Sequence, residues 1–155
     1  MARLVLLDAG PLGLACTRVG DPKADECRAW LAELRAAGVQ VLIPAVAEYE
    51  VRREVLRAKA TARLRELDDL RSRFDRLEIS AEALDRAAEF WALLRNLGMP
   101  TAADADLDGD AILAGMAATC AGPGDVAEVA TTNLRHLRRF PGVVAAGWRS
   151  ITPTA

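Results

Sequence analysis

Four acidic or amide side chains recur along this 155-residue chain, each within or just after an apolar run that ends in a turn. Asp8 follows Leu4-Val5-Leu6-Leu7, and Glu50 lies beyond Val41-Leu42-Ile43-Pro44. Asp110 stands in Asp108-Gly109-Asp110-Ala111-Ile112-Leu113, and Asn133 follows Val129-Ala130-Thr131-Thr132. In a parallel α/β sheet the carboxyl ends of the strands share one edge, so residues distant in sequence can meet there. Carboxylates gathered at such an edge repel one another unless a cation sits among them. Oxygen donors favour Mg²⁺ or Mn²⁺, which points to metal-assisted phosphate chemistry.

Each residue also has a plainer use. Asp8 suits the N-cap of the segment after it, a role compatible with holding a metal. Glu50 shares a helical face with Val46, Arg53, Glu54 and Arg57, where it could be a surface acid; Glu48, two residues away, points elsewhere, so only one of the pair reaches the edge. A helix starting at about Asp108 makes that residue its cap and places Asp110 in the first turn beside the amide dipole. Asp104 and Asp108 are auxiliary acids in the same run, which lacks the glycine and closing glutamate of an EF-hand. Thr131 and Asn133 end a strand and could hold a water or phosphate, or simply close a turn. His136, the only histidine, makes no zinc site without nearby cysteines, and there is no nucleophile elbow, dinucleotide fingerprint or Walker lysine.

The elements that position these residues follow from periodicity and punctuation. Arg3–Leu7 reads as a buried strand, Asp21-Pro22 opens a helix that Gly38 closes, and Val39–Ile43 is a second strand. A helical stretch runs from Ala45 towards Phe74 with a break near Thr61, Leu77–Ile79 is a short strand, and Ser80 caps the next helix. Thr101–Gly109 reads as a loop leading into a helix through about Ala121. Val126–Thr132 and Val143–Ala146 complete the strands. Strands alternating with helices predict an α/β fold: a parallel sheet of four or five strands flanked by helices, in three layers, forming a single domain over residues 1–155.

At 16.6 kDa with 52% hydrophobic residues, the chain can bury a core without metal or disulfide staples. Cys16, Cys27 and Cys120 show no zinc or disulfide spacing. The N-terminus does not read as a signal peptide and no apolar run is long enough to span a membrane, so a cytoplasmic protein is expected. A net charge of −2 conceals segregation. Between residues 52 and 76, Arg52, Arg53, Arg57, Lys59, Arg63, Arg65, Arg71, Arg73 and Arg76 outnumber the acids, and Arg135, His136, Arg138 and Arg139 follow Asn133. These runs are either solvated helix faces or phosphate-binding surfaces.

With these residues in view, four segments together resemble the PIN domain, the metal-dependent ribonuclease domain of VapC-type toxins. They are Leu6-Leu7-Asp8-Ala9-Gly10-Pro11-Leu12, the stretch from Ile43-Pro44 to Arg53-Glu54, Leu107-Asp108-Gly109-Asp110-Ala111-Ile112-Leu113-Ala114, and Ala130-Thr131-Thr132-Asn133-Leu134-Arg135-His136-Leu137. The resemblance implies a PIN-like fold in which Asp8, Glu50 and Asp110 are metal-binding catalytic acids. It places Asn133 at a fourth position commonly held by Asp, with Thr131 beside it. The departure removes one charge; three carboxylates still suffice for Mg²⁺, which keeps several waters, but a second metal is less favoured. The implied activity is hydrolysis of RNA by a metal-activated water, leaving 5′-phosphate and 3′-hydroxyl ends. Arg52, Arg53, Arg57 and Arg135 are the candidate RNA contacts, and a homodimer and a small antitoxin are the implied partners. A PIN-like RNA- or protein-binding module with weakened catalysis is the alternative, favoured by Asn133 and opposed by the three retained acids. An aspartyl phosphoacceptor built on Asp8 needs a companion lysine, and Lys23 and Lys59 are poorly placed for it.

Overall fold

The computed structural model describes residues 1–98 and 104–154, with 104 and 105 described in backbone only. Five strands, β1 (Arg3–Leu7), β2 (Gln40–Pro44), β3 (Asp75–Leu77), β4 (Val126–Thr131) and β5 (Ala145–Gly147), form one sheet in the order β3-β2-β1-β4-β5. Every pairing is parallel, with Val5 opposite Val41 on one side and Glu128 on the other. Strands from both ends of the chain thus enter the same sheet. From β1 the chain steps outward through β2 to β3, then crosses to β4 on the opposite side of β1. The reversal leaves a crevice above the carboxyl ends of β1 and β4, the place where open α/β sheets bind ligands.

The apolar runs are continuous because both faces of the sheet are covered. Val5 and Leu7 enter one core with Leu12, Trp30, Leu34, Val51 and Leu70. These side chains come from α1 (Ala9–Ala15), α2 (Pro22–Ala36), α3 (Ala45–Arg57) and α4 (Thr61–Arg73). Leu4 and Leu6 enter the other, with Phe90 and Leu94 of α5 (Ala81–Asn96) and Leu113 and Met116 of α6 (Asp104–Thr119). A helical turn α7 (Leu134–Leu137) follows β4, and Phe140 beyond it packs edge-on against Phe90 with ring centroids 5.4 Å apart. This is the three-layer arrangement expected, with five strands. Among the described residues no helix is long and apolar enough to cross a membrane.

Local signals account for most boundaries. Asp21 accepts the N–H groups of Lys23 and Ala24, both at 3.0 Å, with Pro22 in the first turn, and Gly38 leaves the far end at a φ of 80°. Ser80 accepts the Ala83 N–H in the same way. The expected break near Thr61 lies between α3 and α4, where Lys59 takes a φ of 53°. Two short strands sit one or two residues from their expected places, at 75–77 and 145–147. The larger correction concerns residues 104–109. They are helical rather than loop, so Asp108 is not a cap and Asp110 lies in the second turn of α6. Ala105 and Leu107 between the aspartates favour a helix, and acids near its start are stabilised by the amide dipole. Residues 101–103 of the expected loop lie outside the described residues.

The crossing of α5 and α6 depends on Gly115. A Cβ there would collide with the Ala83 carbonyl oxygen and stand 2.9 Å from the Ala87 nitrogen, backbone atoms that no rotamer moves aside. Glycine inside a helix normally costs about 1 kcal/mol relative to alanine, so propensity alone favours Gly115→Ala. We predict the opposite: a loss of about 1–3 kcal/mol from overpacking, seen as a lower urea midpoint with an unchanged slope.

Candidate functional site

The crevice holds a cavity of about 520 Å³. Asp8, Glu50, Asp106, Asp108 and Asp110 line it together with Asn133, His136, Tyr49 and Arg53. The sheet and helices therefore bring four of the expected positions, Asp8, Glu50, Asp110 and Asn133, to one opening. Asp104 contributes helical backbone, while its side chain lies outside the described residues.

Asp8 is fastened first. Its N–H donates to the Ala130 carbonyl at 3.0 Å, tying the end of β1 to β4. Its Oδ1 accepts the Ala9 N–H at 2.7 Å as the cap of α1, and its Oδ2 accepts the Thr131 hydroxyl at 2.7 Å. Thr131 is fully buried, and its Oγ1 also accepts the Asn133 N–H at 2.9 Å. One hydroxyl thus joins the turn after β4 to the carboxylate after β1. The turn leaves room only for glycine at position 10, because a Cβ there would collide with the Thr132 side chain.

Glu50 and Glu48 part company as their spacing requires. Glu48 is only 3% exposed and turns away from the cavity, with its carboxylate paired to Arg52, Arg71 and Arg76 at 3.1, 3.3 and 2.9 Å. Glu50 faces the cavity and lies directly against Gly109 of α6, where a Cβ would run into its Oε1. Burial, and then the negative charges of Asp8 and Asp110, push the Glu50 carboxyl up to about 7, with Arg53 acting in the opposite direction.

Asp110 has basic neighbours that the sequence did not connect to it. His136 Nδ1 and Arg139 Nη2 both lie 3.4 Å from its Oδ2. Arg139 is itself buried and anchored, its Nε donating to the His136 carbonyl at 2.8 Å. Burial first and Asp8 second raise the Asp110 carboxyl above its usual range, while His136 and Arg139 pull it down. His136 lies on α7 and Arg139 in the turn just after it, so only their closeness in sequence to Asn133 was an available signal.

The family model for the PIN domain matches residues 6–122, a span that contains Asp8, Glu50 and Asp110. The chain belongs to the PIN domain family. Solved structures agree with it in fold. The chain is similar to one in the VapBC2 complex of Rickettsia felis bound to a DNA fragment from their promoter, with a TM-score of 0.70 and 18% identity, covering 94% of this chain and 98% of that one. It is similar to one in the DNA-bound VapBC of Salmonella typhimurium, with a TM-score of 0.66 and 20% identity over 96% and 99% of the two chains. VapBC-1 of nontypeable Haemophilus influenzae gives a TM-score of 0.66 at 14% identity over 94% and 98%. No curated protein matches the sequence significantly.

The arginines of this PIN domain divide by geometry. Arg53 lines the cavity with its guanidinium 5.3 Å from the centre of the exposed Tyr49 ring. Arg52, expected to contact RNA, instead binds Glu48 and, at 2.7 Å, Asp68, so it locks α3 to α4. Arg57 pairs with Glu54 at 2.8 Å and does not line the cavity, and Arg135 is exposed outside it. Burial of Glu48 creates the demand that captures Arg52, and burial is a tertiary property no local spacing shows.

The donors facing this cavity are oxygens, suited to a hard divalent cation. Among the described residues no three acidic, histidine or cysteine side chains form a group that could hold a metal ion as they stand. The protonation of Glu50 sets a stability signature. An ordinary glutamate loses its proton near 4.5, whereas folded Glu50 keeps it to about 7. The folded state therefore binds the extra proton between those values, and stability falls as pH rises through them. In chelator, Tm should decline from pH 5 to pH 8, and Glu50→Gln should remove most of the decline; an equally steep decline in the variant would assign it to other groups.

Proposed function

We propose that this PIN domain is a divalent-metal-dependent endoribonuclease, the toxin of a VapBC-like toxin–antitoxin pair. The observation that carries the reading is the convergence of Asp8, Glu50 and Asp110 on one cavity at the strand-order reversal, where burial and then the neighbouring acids raise the Glu50 carboxyl to about 7. Mg²⁺ or Mn²⁺ fits that donor set, because Mg²⁺ keeps several waters and takes one or two carboxylates rather than a complete protein cage. Bound by Asp8, Glu50 and Asp110, the cation would acidify a water and offset the charge that develops on the phosphate.

The chain's own groups supply position. Thr131 and the Ala9 N–H hold both oxygens of Asp8, so its carboxylate enters the cavity already oriented. His136 and Arg139 orient Asp110 through a single oxygen. Arg53 at the rim attracts the phosphate backbone, and the exposed Tyr49 ring gives a base a surface to stack on, as single-stranded RNA recognition uses. Protection from such an activity in the cytoplasm calls for an inhibitor, and a small antitoxin completes the proposal by likeness to the VapBC structures, with a homodimeric toxin proposed beside it.

The alternative, a PIN module that binds RNA or protein with weakened catalysis, draws on Asn133, which lines the cavity without a negative charge. Incubation of the purified chain with single-stranded RNA separates the two. Cleavage should require Mg²⁺ or Mn²⁺ and leave 5′-phosphate ends, and Asp8→Asn or Asp110→Asn should lower it by about 100-fold or more with the fold intact. Glu82→Gln, an exposed first-turn residue of α5, should leave it unchanged. Equal losses in all three variants would show that the site is misassigned, and binding without cleavage would favour the alternative.

Asn133→Asp gives an independent check. Restoring a carboxylate should tighten divalent-metal binding and mildly destabilise the metal-free protein by adding repulsion. Calorimetric titration and melting in chelator that both remain unchanged would reduce Asn133 to a turn residue.

A further inference from the structure

A second cavity of about 260 Å³ lies on the other flank of Glu50. It shares Ala9, Glu50 and Arg53 with the acidic cavity, so the two form one groove that passes across the Glu50 side chain. Its far end is lined by Gly13 of α1 and Arg63 of α4. The missing side chain at Gly13 leaves this end open, and Arg63 Nη2 donates to the Gly13 carbonyl at 3.2 Å. Arg63 Nε is shielded from solvent and has no hydrogen-bond partner among the described residues, an uncommon state for a buried donor.

The charge along the groove changes sign past Glu50. Glu54 also lines the second cavity, but Arg57 takes its carboxylate at 2.8 Å. Unlike Arg52 and Arg57, neither Arg53 nor Arg63 is ion-paired among the described residues. Two guanidinium groups without carboxylate partners thus flank a groove that leads directly into an acidic site. A guanidinium edge with an unused donor matches a phosphate oxygen.

We propose that this second cavity is a phosphate subsite, in which Arg53 and Arg63 hold the phosphodiester next to the one placed in the acidic cavity. The ligand is single-stranded RNA, and the assignment rests on the ribonuclease reading. It gives the groove a direction: the backbone enters over α1 and α4 and crosses Glu50 to reach Asp8 and Asp110. Arg53 bridges the two cavities and offsets the repulsion between Glu50 and the incoming phosphates.

The test measures binding apart from cleavage. Full-length protein carrying Asp110→Asn is titrated into a labelled short single-stranded RNA across a range of salt, with anisotropy as the readout. Adding Arg63→Gln should weaken binding about tenfold, the loss of one charge-assisted contact. It should also lower the slope of log affinity on log salt by about 0.7, the single-strand value for one phosphate. Arg86→Gln, on α5 and lining neither cavity, should change neither. Arg63→Lys should restore the slope but only part of the affinity, because it keeps the charge without the planar fork.

A methylphosphonate placed at each linkage in turn should reveal one position whose neutralisation costs affinity when Arg63 is present and nothing further in Arg63→Gln. Unchanged affinity in a folded Arg63→Gln protein overturns the subsite. If that variant does not fold, equal losses at every methylphosphonate position, or full affinity in Arg63→Lys, overturn it. Weaker binding of an Asp/Glu-rich peptide with unchanged RNA binding reassigns the cavity to a protein partner and also overturns it. Cleavage by the unsubstituted chain is scored separately. Absent cleavage with the Arg63 effect present removes the nuclease reading and keeps the subsite, while cleavage with no Arg63 effect does the reverse.

Discussion

Like charges under partial cover are the constraint to which the rest of the site answers. Two unit charges 4 Å apart interact by about 4 kcal/mol at an effective dielectric constant of 20, enough to matter against the whole stability of a small protein. The fold meets this load in three different ways. Asp8 is offset by hydrogen bonds from Thr131 and the Ala9 N–H. Asp110 is offset by His136 and Arg139. Glu50, pressed against the backbone at Gly109, retains its proton to about 7. The three acids are therefore chemically unequal before any ligand arrives, although the sequence presents them as equivalent positions.

The same helix that brings Glu50 to the cavity is held from behind by Glu48. Three arginines from α3, α4 and the β3 strand meet on that buried carboxylate, so α3 is tied to its neighbours on the side opposite the site. Removing one partner of a buried pair typically costs about 3–5 kcal/mol, because the other charge is left uncompensated. The rigidity of Glu50's platform and the placement of Glu50 are thus linked through the two-residue spacing, which turns adjacent acids to different sides of one helix.

The three carboxylates and the parallel sheet were legible because each depends on short-range signals: an apolar run, a punctuating glycine or proline, an acid at the end. Asp8 and Thr131 could each be placed at the end of a strand in this way, although neither the pairing of those two strands nor the hydrogen bond between the side chains could be foreseen. The start of α6 was misread because a stretch rich in Ala and Asp resembles a polar loop, whereas Ala105, Leu107 and the dipole at a helix start favour a helix. The ion pairs of Arg52 were missed for a different reason. Its partner Glu48 is buried only after α3, α4 and β3 have packed together, so an arginine in a basic run could not be told from a free one. The convergence of His136 and Arg139 on Asp110 likewise needed α7 and the turn after it to pack against α6 across β4, a tertiary contact.

Both margins of the sheet are three-residue strands, Asp75–Leu77 and Ala145–Gly147. Such short margins, one of them carrying an aspartate and an arginine, present few open backbone groups on which another strand could template itself. Recruitment by strand addition is therefore poorly supported, and a macromolecule that docks here meets helical flanks instead. The same blunted margins guard the isolated chain against edge-to-edge fibre growth.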